Sequence, residues 1–357
     1  MPATSAGMTG CVVAFAVVLL SLMSIRAAGA AVDFHGKTVS MIIGSEPGGG
    51  TDRTGRLLAA YFEKFLPGNP TIVVRNMPGA EGVTALNYVV QQTKPDGLTF
   101  VTGAAVQLSP LTYRKAKGAY DPVKLRYIGG IGRGGTEVLV NRAHEARLYD
   151  KSAEPLFAGV RDGTSGGEQI PFWAIEFLGW NAKPVAGYRG TTETLLALER
   201  EEIDLATTGS LQDITRLVGT GRFKVALQTG ALENGEFRPL PRADLGDAPV
   251  LASLMRDKKM SEPARQAYAY WQSVTALDKW TGLAEGTPDD IVAAYRDAFE
   301  TLIADPDFLE RAKKMSDDLT PTRLGDVELL VGKLASVTDA ADAYLKDLLR
   351  KNGVNVR

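Results

Sequence analysis

The chain has 357 residues, of which 45% are hydrophobic, and its 40 Lys and Arg residues nearly balance 42 Asp and Glu residues, for a formal net charge of −2. A chain of this length can bury a large core, and two domains are a better expectation than one. Without a strong net field, nucleic acid and acidic membrane surfaces are not expected to be its main partners.

The N-terminus has the layout of a secretory signal peptide. Cys11–Met23 is an apolar run that is short for a membrane-spanning helix, and the small residues AAGAA follow it. We therefore predict that residues 1–30 are a signal peptide, cleaved after Ala30. An uncleaved anchor helix is the alternative, because Arg26, the first positive charge, follows the apolar run. Cleavage removes the single cysteine, so the exported protein is predicted to lack disulfides.

From Val39 onward, short β-rich runs alternate with segments of helical periodicity. This alternation predicts βαβ units and hence an α/β protein with doubly wound sheets. Helices are predicted after the first two strands, over Phe172–Leu178 and over Thr192–Glu201. The predicted strands are VSMIIG, TIVVRN, LTFVTG, LRYIGG, EVLVNR, PLFAGV, KPVAGY, IDLATT and FKVALQT.

The C-terminal part is predicted to be mainly helical. Thr287 is the predicted N-cap of one helix, with Pro288 at its first position and two aspartates in its first turn. A second helix is predicted over Gly325–Lys351. The segment 231–271 has no predicted role.

Three consecutive glycines, Gly48–Gly50, separate the first predicted strand from the first helix. A strand-to-helix turn needs only one or two permissive residues, so the extra glycine indicates bare backbone N–H groups at a helix N-terminus, where anions bind. A second small-residue turn, Asp162–Gly167, lies in the other half of the chain. Because ligands bind at the carboxyl ends of strands in open α/β sheets, two such loops could clasp one anionic group. Two independent tight turns are the alternative.

Three enzyme motifs are incomplete in this chain. Gly50–Leu57 has the glycine spacing of a phosphate loop but lacks the Lys and Ser or Thr that bind phosphate and Mg²⁺. Gly130–Gly135 fits a dinucleotide-binding fingerprint, yet β-branched residues follow it, so a glycine-rich connection between strands is predicted. Gly163–Gly167 fits a nucleophile elbow, but both histidines, His35 and His144, precede it, whereas a hydrolase needs one after it.

The same shortage of histidine and cysteine removes most zinc and transition-metal sites. A carboxylate-only Ca²⁺ or Mg²⁺ site stays open as the alternative, although it has no spacing signature here. We therefore predict no catalytic residue, no metal and no cofactor.

A set of segments resembles, in order and spacing, the exported solute receptors of tripartite tricarboxylate transporters, the Bug-type proteins. The resemblance extends from about Phe34 to the C-terminal helix, which is nearly the whole mature chain. The segments are IIGSEPGGGTDRTGRLLA, VVRNMPGAEG, KPDGLTFVTGA, YDPVK, GYRGTTETLLAL, EIDLAT, WTGLAEGTPDDIV and LIADPDF.

This resemblance implies a periplasmic binding protein with two α/β lobes joined by crossing strands and a ligand cleft between the lobes. Lobe 1 would comprise residues 33–135 and 246–357, and lobe 2 residues 136–245. Such a receptor captures a small carboxylate-bearing organic anion and delivers it to a membrane permease, and we expect a monomer. An exported enzyme that acts on a carboxylated substrate through an Asp or Glu base is the alternative.

The resemblance also implies the binding residues. In the family, the loops that match Pro47–Asp52 and Thr164–Gly167 hold one carboxylate through backbone N–H groups, hydroxyls and ordered water. Two stretches, Gly187–Gly190 and Ala104–Gln107, depart from the family pattern and leave the ligand's identity open. The predicted ligand-binding residues are Ser45, Glu46, Gly48, Gly49, Gly50, Thr51, Asp52, Ala104, Gln107, Thr164, Ser165, Gly166, Gly167, Tyr188, Gly190 and Thr207.

Three of these residues have alternative roles. Asp52 suits the first turn of a helix whatever it binds, because it complements the helix dipole. Tyr188 is either a wall residue or a ligand contact. Glu46 would repel an anion, so it either faces solvent, pairs with Arg53 or accepts a hydrogen bond from a donor on the ligand.

Overall fold

Two β-sheets, each flanked by helices, form the core of the computed structural model, which describes residues 32–160, 166–240, 242–316 and 319–354. The predicted signal peptide lies outside these residues. Phe34–Arg357 forms one compact unit. None of the helices in the described ranges combines the length and apolar composition that crossing a membrane requires.

The strands and helices alternate along most of the chain. The strands are β1 Thr38–Ile43, β2 Thr71–Asn76, β3 Thr99–Ala104, β4 Arg126–Arg133, β5 Glu137–Asn141, β6 Leu156–Val160, β7 Ala182–Ala186, β8 Leu205–Thr208, β9 Phe223–Gln228, β10 Ala231–Glu233, β11 Glu236–Arg238, β12 Lys279–Leu283 and β13 Leu319–Thr322. The helices are α1 Gly50–Phe65, α2 Val83–Gln92, α3 Pro110–Tyr113, α4 Ile170–Trp173, α5 Thr191–Glu199, α6 Leu211–Gly219, α7 Leu251–Met255, α8 Glu262–Ala276, α9 Asp289–Ala304, α10 Pro306–Met315, α11 Leu324–Ala335 and α12 Asp339–Lys351.

The first sheet has the strand order β13-β4-β12-β3-β1-β2, and we call the body around it lobe 1. β1 is parallel to β2 and β3, whereas β12 is antiparallel to its neighbours β3 and β4. The second sheet, the centre of lobe 2, has the order β7-β6-β8-β5-β9. The predicted α/β fold with two helix-flanked sheets is therefore confirmed, and both sheets are mixed. The exact lobe boundaries stay a prediction.

The chain crosses between the sheets near Thr136 and again near Thr229. The N–H of Thr136 donates to Oγ1 of Thr229 at 2.8 Å, and the N–H of Thr229 donates to the carbonyl oxygen of Thr136 at 2.9 Å. Gly135 and Gly230, beside these threonines, have φ values of +126° and +72°, which glycine adopts without strain. The two crossing segments are thus hydrogen-bonded to each other.

Buried aromatic side chains join helices α1 and α9 to the first sheet. Phe62 of α1 meets Phe100 of β3 with ring centroids 5.3 Å apart, and Tyr295 of α9 meets Phe100 at the same distance. All three rings are buried. Such pairs add about 0.5–1.5 kcal/mol each beyond the burial of their surface.

Each strand predicted from the sequence corresponds to one of β1–β9.

Two helix predictions were wrong in detail. The segment Gly325–Lys351 forms two helices, α11 and α12, because Thr338 caps a new N-terminus by accepting a hydrogen bond from the N–H of Ala341. Thr287 is not an N-cap, since its hydroxyl donates to the carbonyl oxygen of Ala284 at 2.8 Å and the N-cap is Pro288. The helix predicted over Phe172–Leu178 begins as α4 and continues as a wider π-helical turn over Ala174–Leu178.

The segment 231–271, which had no predicted role, contains a β-hairpin and two helices. β10 and β11 pair around Asn234 and Gly235, whose positive φ values suit a tight hairpin turn. The N–H groups of these two residues donate to the carboxylate of Asp326 at 3.2 and 2.6 Å. The hairpin that follows the last strand of lobe 2 is therefore attached to helix α11, which packs on lobe 1.

Candidate functional site

A cleft of about 650 Å³ is lined by residues from both sheets and from the segments that connect them. This volume is within the usual range for small-molecule sites, about 300–1,000 Å³. Lobe 1 contributes the end of β3 and the start of β12, and lobe 2 contributes the residues before α4, the start of α5 and the turn between β8 and α6. The candidate site is therefore an interlobe cleft at strand ends, as the α/β architecture predicts.

The lobe 2 side of the cleft is rich in hydroxyl groups and helix N-termini. Thr191 and Thr192 are the first two residues of α5, and the N-cap residue Gly190 has no side chain that could cap that helix. Thr207 and Ser210 flank the turn into α6. A helix N-terminus carries a partial positive charge and unpaired N–H groups, so this side of the cleft suits a negatively charged group.

The lobe 1 side of the cleft contains a lysine that sequence reasoning missed. Lys279, the first residue of β12, is 8% exposed and donates to Oδ1 of Asp278 at 2.5 Å and to the Asp278 carbonyl oxygen at 3.2 Å. Both residues line the cleft. No local signal identified it, because the segment DKWTGL follows a helix and begins with two charged residues; only its pairing as β12 places Lys279 opposite Ala104 of β3.

Tryptophan side chains hold cleft-lining backbone on both sides. The indole N–H of Trp280 donates to the carbonyl oxygen of Ala104 at 3.0 Å, and the indole N–H of Trp271 donates to that of Gly166 at 2.7 Å. Both tryptophans are buried. They position the backbone at Ala104 and Gly166 without lining this cleft themselves.

The predicted glycine loop lies outside the lining of this cleft. Gly48, Gly49 and Gly50 are exposed, and α1 begins at Gly50 with Gly49 as its N-cap. Because β1 and β3 are parallel neighbours, the loop leaves β1 at the same edge of the sheet at which Ala104 enters the cleft. Only Gly48 of the three has a positive φ, +81°.

Asp52 is engaged in holding this turn together. Its Oδ2 accepts a hydrogen bond from the N–H of Gly48 at 2.8 Å, and its Oδ1 accepts from Arg56 at 2.9 Å and from Asn76 at 2.8 Å. Burial by itself would raise the pKa of the Asp52 carboxyl, but the bonds from Arg56, Gly48 and Asn76 outweigh it and hold that pKa below its usual value. The geometry supports the structural alternative for Asp52.

Gln107 occupies a cradle made by three glycines. A Cβ atom added to Gly82 would lie 1.7 Å from its Nε2, and one added to Gly103 would lie 2.0 Å from its Oε1. Gly44 closes the third side. Gln107 is 2% exposed, and its Oε1 has no hydrogen-bond partner among the described residues. The side chain is fully enclosed and is not part of the cleft lining.

The remaining predicted residues have varied positions. Tyr188 is half-buried against the core of lobe 2, where burial and the nearby carboxylates of Glu202 and Glu193 raise its pKa. Glu46 is exposed, and no ion pair joins it to Arg53 in the part of the chain that the structure describes. Ser45 donates to the Glu46 carbonyl oxygen at 3.4 Å, and Thr51 is buried in the first turn of α1.

The structure thus brings four of the predicted residues together in the cleft, namely Ala104, Gly166, Gly167 and Thr207. Thr164 and Ser165 lie outside the described residues. Within the described ranges, no group of three His, Cys, Asp or Glu side chains is placed to hold a metal ion. The ligand-binding roles themselves stay predictions.

The chain shares its two-lobed α/β fold, with a cleft between the lobes, with solved solute-binding proteins. A TctC solute binding protein from Polaromonas aligns with 88% of this chain and 98% of its own, with a TM-score of 0.63 at 18% identity. Rpa4515 of R. palustris, solved with adipate, covers 90% of this chain and 99% of its own, with a TM-score of 0.50 at 20% identity. At identities of 18% and 20%, these structural alignments establish that the fold is shared.

Sequence comparison leads to the same group of proteins. The chain is 27% identical over 232 residues to a UPF0065 protein of Bordetella pertussis, an alignment that covers 62% of this chain and 68% of that protein. No family model matches the chain. The resemblance to Bug-type receptors is confirmed, since this chain is similar in sequence to a UPF0065 protein and in fold to a TctC protein.

Proposed function

We propose that the protein is an exported receptor that captures a small carboxylate-bearing organic anion between its lobes and delivers it to a membrane permease. The observation that carries the proposal is the interlobe cleft of about 650 Å³, which is lined on its lobe 2 side by the uncapped N-terminus of α5. That end of the helix favours a negatively charged group.

The start of α5 is the proposed carboxylate site. Thr191 and Thr192 offer hydroxyls together with backbone N–H groups, and Gly190 at the N-cap leaves that end of the helix without a side-chain cap. Charge-assisted hydrogen bonds of this kind are roughly twice as strong as neutral ones. A ligand held here and at the lobe 1 wall contacts both lobes at once and therefore favours their closed arrangement.

The compared proteins support the ligand class. The Polaromonas protein is described as a solute binding protein, and the R. palustris protein was solved with adipate, a carboxylate. From the signal-peptide layout of residues 1–30 and the resemblance to Bug-type receptors, we propose that the mature chain is periplasmic, begins at Ala31 and acts as a monomer with permease components as partners. N-terminal sequencing of the secreted protein checks the first point, and recovery of residues 1–30 in the membrane fraction would contradict it.

A thermal-shift screen over organic acids tests the binding function. A carboxylate at about 100 times its dissociation constant stabilises the folded state by roughly 2.7 kcal/mol, which is a visible shift of the melting temperature. Amines and neutral sugars without a carboxylate should give no shift. The proposal would be contradicted if neutral solutes shifted the melting temperature and none of the acids did.

Variants locate the carboxylate site. Thr191→Val and Thr192→Val keep the side-chain shape and remove a hydroxyl, so each should weaken acid binding by about 1.5–3 kcal/mol if that hydroxyl bonds the charged group. Thr71→Val, at an exposed position of β2, is the matched control and should leave binding unchanged. Recovery of the ligand unaltered after prolonged incubation separates a receptor from the enzyme alternative.

A further inference from the structure

Lys279 has donor capacity that its described contacts do not use. A lysine ammonium has three N–H donors, and two are engaged by Oδ1 and the carbonyl oxygen of Asp278. The side chain is 10% exposed and lines the interlobe cleft, so the third donor is in a largely desolvated place beside the volume that a ligand would occupy. An unused donor in such a place favours ligands that bring an acceptor to it.

The charge of Lys279 is already balanced. The carboxylate of Asp278 is 2.5 Å from Nζ and lines the same cleft. The described lining contains two more carboxylate side chains, Asp213 and Glu168, and Lys279 is its one described cation. Asp213 is on lobe 2 and pairs with Arg216 at 3.2 Å, outside the cleft. The cleft therefore offers an additional donor but no surplus of positive charge at the lobe 1 wall.

We propose that Lys279 is a specificity-determining residue that donates its remaining N–H to an uncharged oxygen of the ligand, while Asp278 disfavours a second carboxylate there. The preferred solute is then a monocarboxylate that also bears a hydroxyl, keto or amide oxygen. This inference rests on the proposed function, in which the carboxylate is held at the start of α5.

The electrostatic reason is the short distance between Nζ and Asp278. An acidic group bound to Nζ would lie within about 4–5 Å of the Asp278 carboxylate, where like charges repel. In water-like surroundings this repulsion reduces affinity about fivefold, and in a less polar cleft it reduces it more. A hydroxyl or carbonyl oxygen at the same place gains the hydrogen bond without that repulsion.

Calorimetric titration of the mature protein with acids of matched length tests the inference. The six-carbon series is hexanoate, 6-hydroxyhexanoate and adipate, and the four-carbon series is butanoate, 4-hydroxybutanoate and succinate. In at least one series the wild-type protein should bind the hydroxy acid more tightly than both the plain acid and the diacid. The variants are Lys279→Met, Lys279→Gln, Asp278→Asn and the control Asp247→Asn, which changes an exposed carboxylate outside the cleft.

Each variant has a distinct expected result. Lys279→Met should abolish the preference for the hydroxy acid over the plain acid: it leaves Asp278 without its counter-charge, so both affinities should fall, and that of the hydroxy acid should fall more. Lys279→Gln, which keeps a donor, should retain part of the preference. Asp278→Asn should raise diacid affinity at least about fivefold. Asp247→Asn should change none of the ratios.

Two outcomes overturn the inference while the receptor function stands. One is that in neither series does the wild-type protein bind the hydroxy acid most tightly, and the other is an equal loss of affinity for all acids in Lys279→Met. If Lys279→Met does not fold, the ratios of the affinities for the hydroxy acid, the plain acid and the diacid in Lys279→Gln and Asp278→Asn test the inference instead. If the wild-type protein binds no acid of either series, the proposed carboxylate site itself is contradicted, and with it this inference.

Discussion

The indole N–H of Trp271 donates to the carbonyl oxygen of Gly166 at 2.7 Å, so a buried side chain of helix α8 holds the backbone of a cleft-lining residue of lobe 2. The two residues are 105 positions apart in the chain. Trp280 and Ala104 form the equivalent contact on lobe 1 at 3.0 Å. The shape of the cleft therefore depends on two buried indoles.

We expect Trp271→Phe to weaken ligand binding beyond its effect on folding. The substitution retains most of the buried aromatic surface and removes a hydrogen bond with a typical net value of about 0.5–1.5 kcal/mol. Trp180→Phe is the control, since Trp180 is also buried and lies outside the cleft. Calorimetry and thermal melting measure the two effects, and equal binding losses in both variants would show that the Gly166 contact does not position the site.

Asp52 should contribute stability that depends on its charge. Asp52→Asn removes charge-assisted hydrogen bonds from Gly48, Arg56 and Asn76 inside a nearly closed site, so we expect a loss of about 1–3 kcal/mol in the free energy of unfolding. Asp297→Asn, at an exposed position of α9, should cost much less. Chemical denaturation at neutral pH measures the difference.

The same carboxylate predicts a pH dependence. Its pKa is lower in the folded protein than the ordinary value of 3.8, so its stabilisation is complete above about pH 4 and is lost as the pH falls through the folded pKa. Asp52→Asn should flatten this acid limb of the stability curve. An unchanged slope between about pH 4 and pH 2 would contradict the assignment.

Gly82→Ala should be far more destabilising than Gly36→Ala. Both glycines have positive φ, +90° and +68°, so an alanine is strained at either position by about 1–2 kcal/mol. Only at Gly82 would the new Cβ lie 1.7 Å from Nε2 of Gln107, whereas at Gly36 nothing lies within 4 Å. We expect a further cost of about 1–3 kcal/mol at Gly82 from overpacking.

A double-mutant cycle isolates the contact with Gln107. If the amide causes the additional cost, Gln107→Ala should be less harmful in the Gly82→Ala background than in the wild-type protein. Additive effects of the two substitutions on the free energy of unfolding would show that the backbone at Gly82, and not the enclosed amide, accounts for the loss.

Gly50→Val tests the predicted role of the glycine loop. A Cβ at Gly50 meets nothing within 4 Å, and its backbone is the first turn of α1, so the folded state should lose little stability. If the loop approaches the bound carboxylate, affinity should fall more than stability. If Gly50→Val lowers the free energy of binding no more than the free energy of unfolding, the loop serves only as a turn.

Local sequence predicted β1–β9 because β-rich runs and turn residues act over a few positions. The family resemblance supplied the cleft residues Ala104 and Thr207, which lie in the last two positions of β3 and β8. β12 was missed because its five residues, Lys279–Leu283, follow a helix and begin with a lysine, and no local signal distinguishes such a strand from a loop.

By itself, the sequence determined the helix-flanked sheets and the family resemblance, since periodicity and segment order are properties of neighbouring residues. Only the tertiary structure decided which groups meet in the cleft. The insertion of β12 between β3 and β4 brings Lys279 beside Ala104, and the packing of α8 brings Trp271 to Gly166. These partners are far apart in the chain, and the contacts between them depend on how sheets and helices pack, which no local pattern encodes.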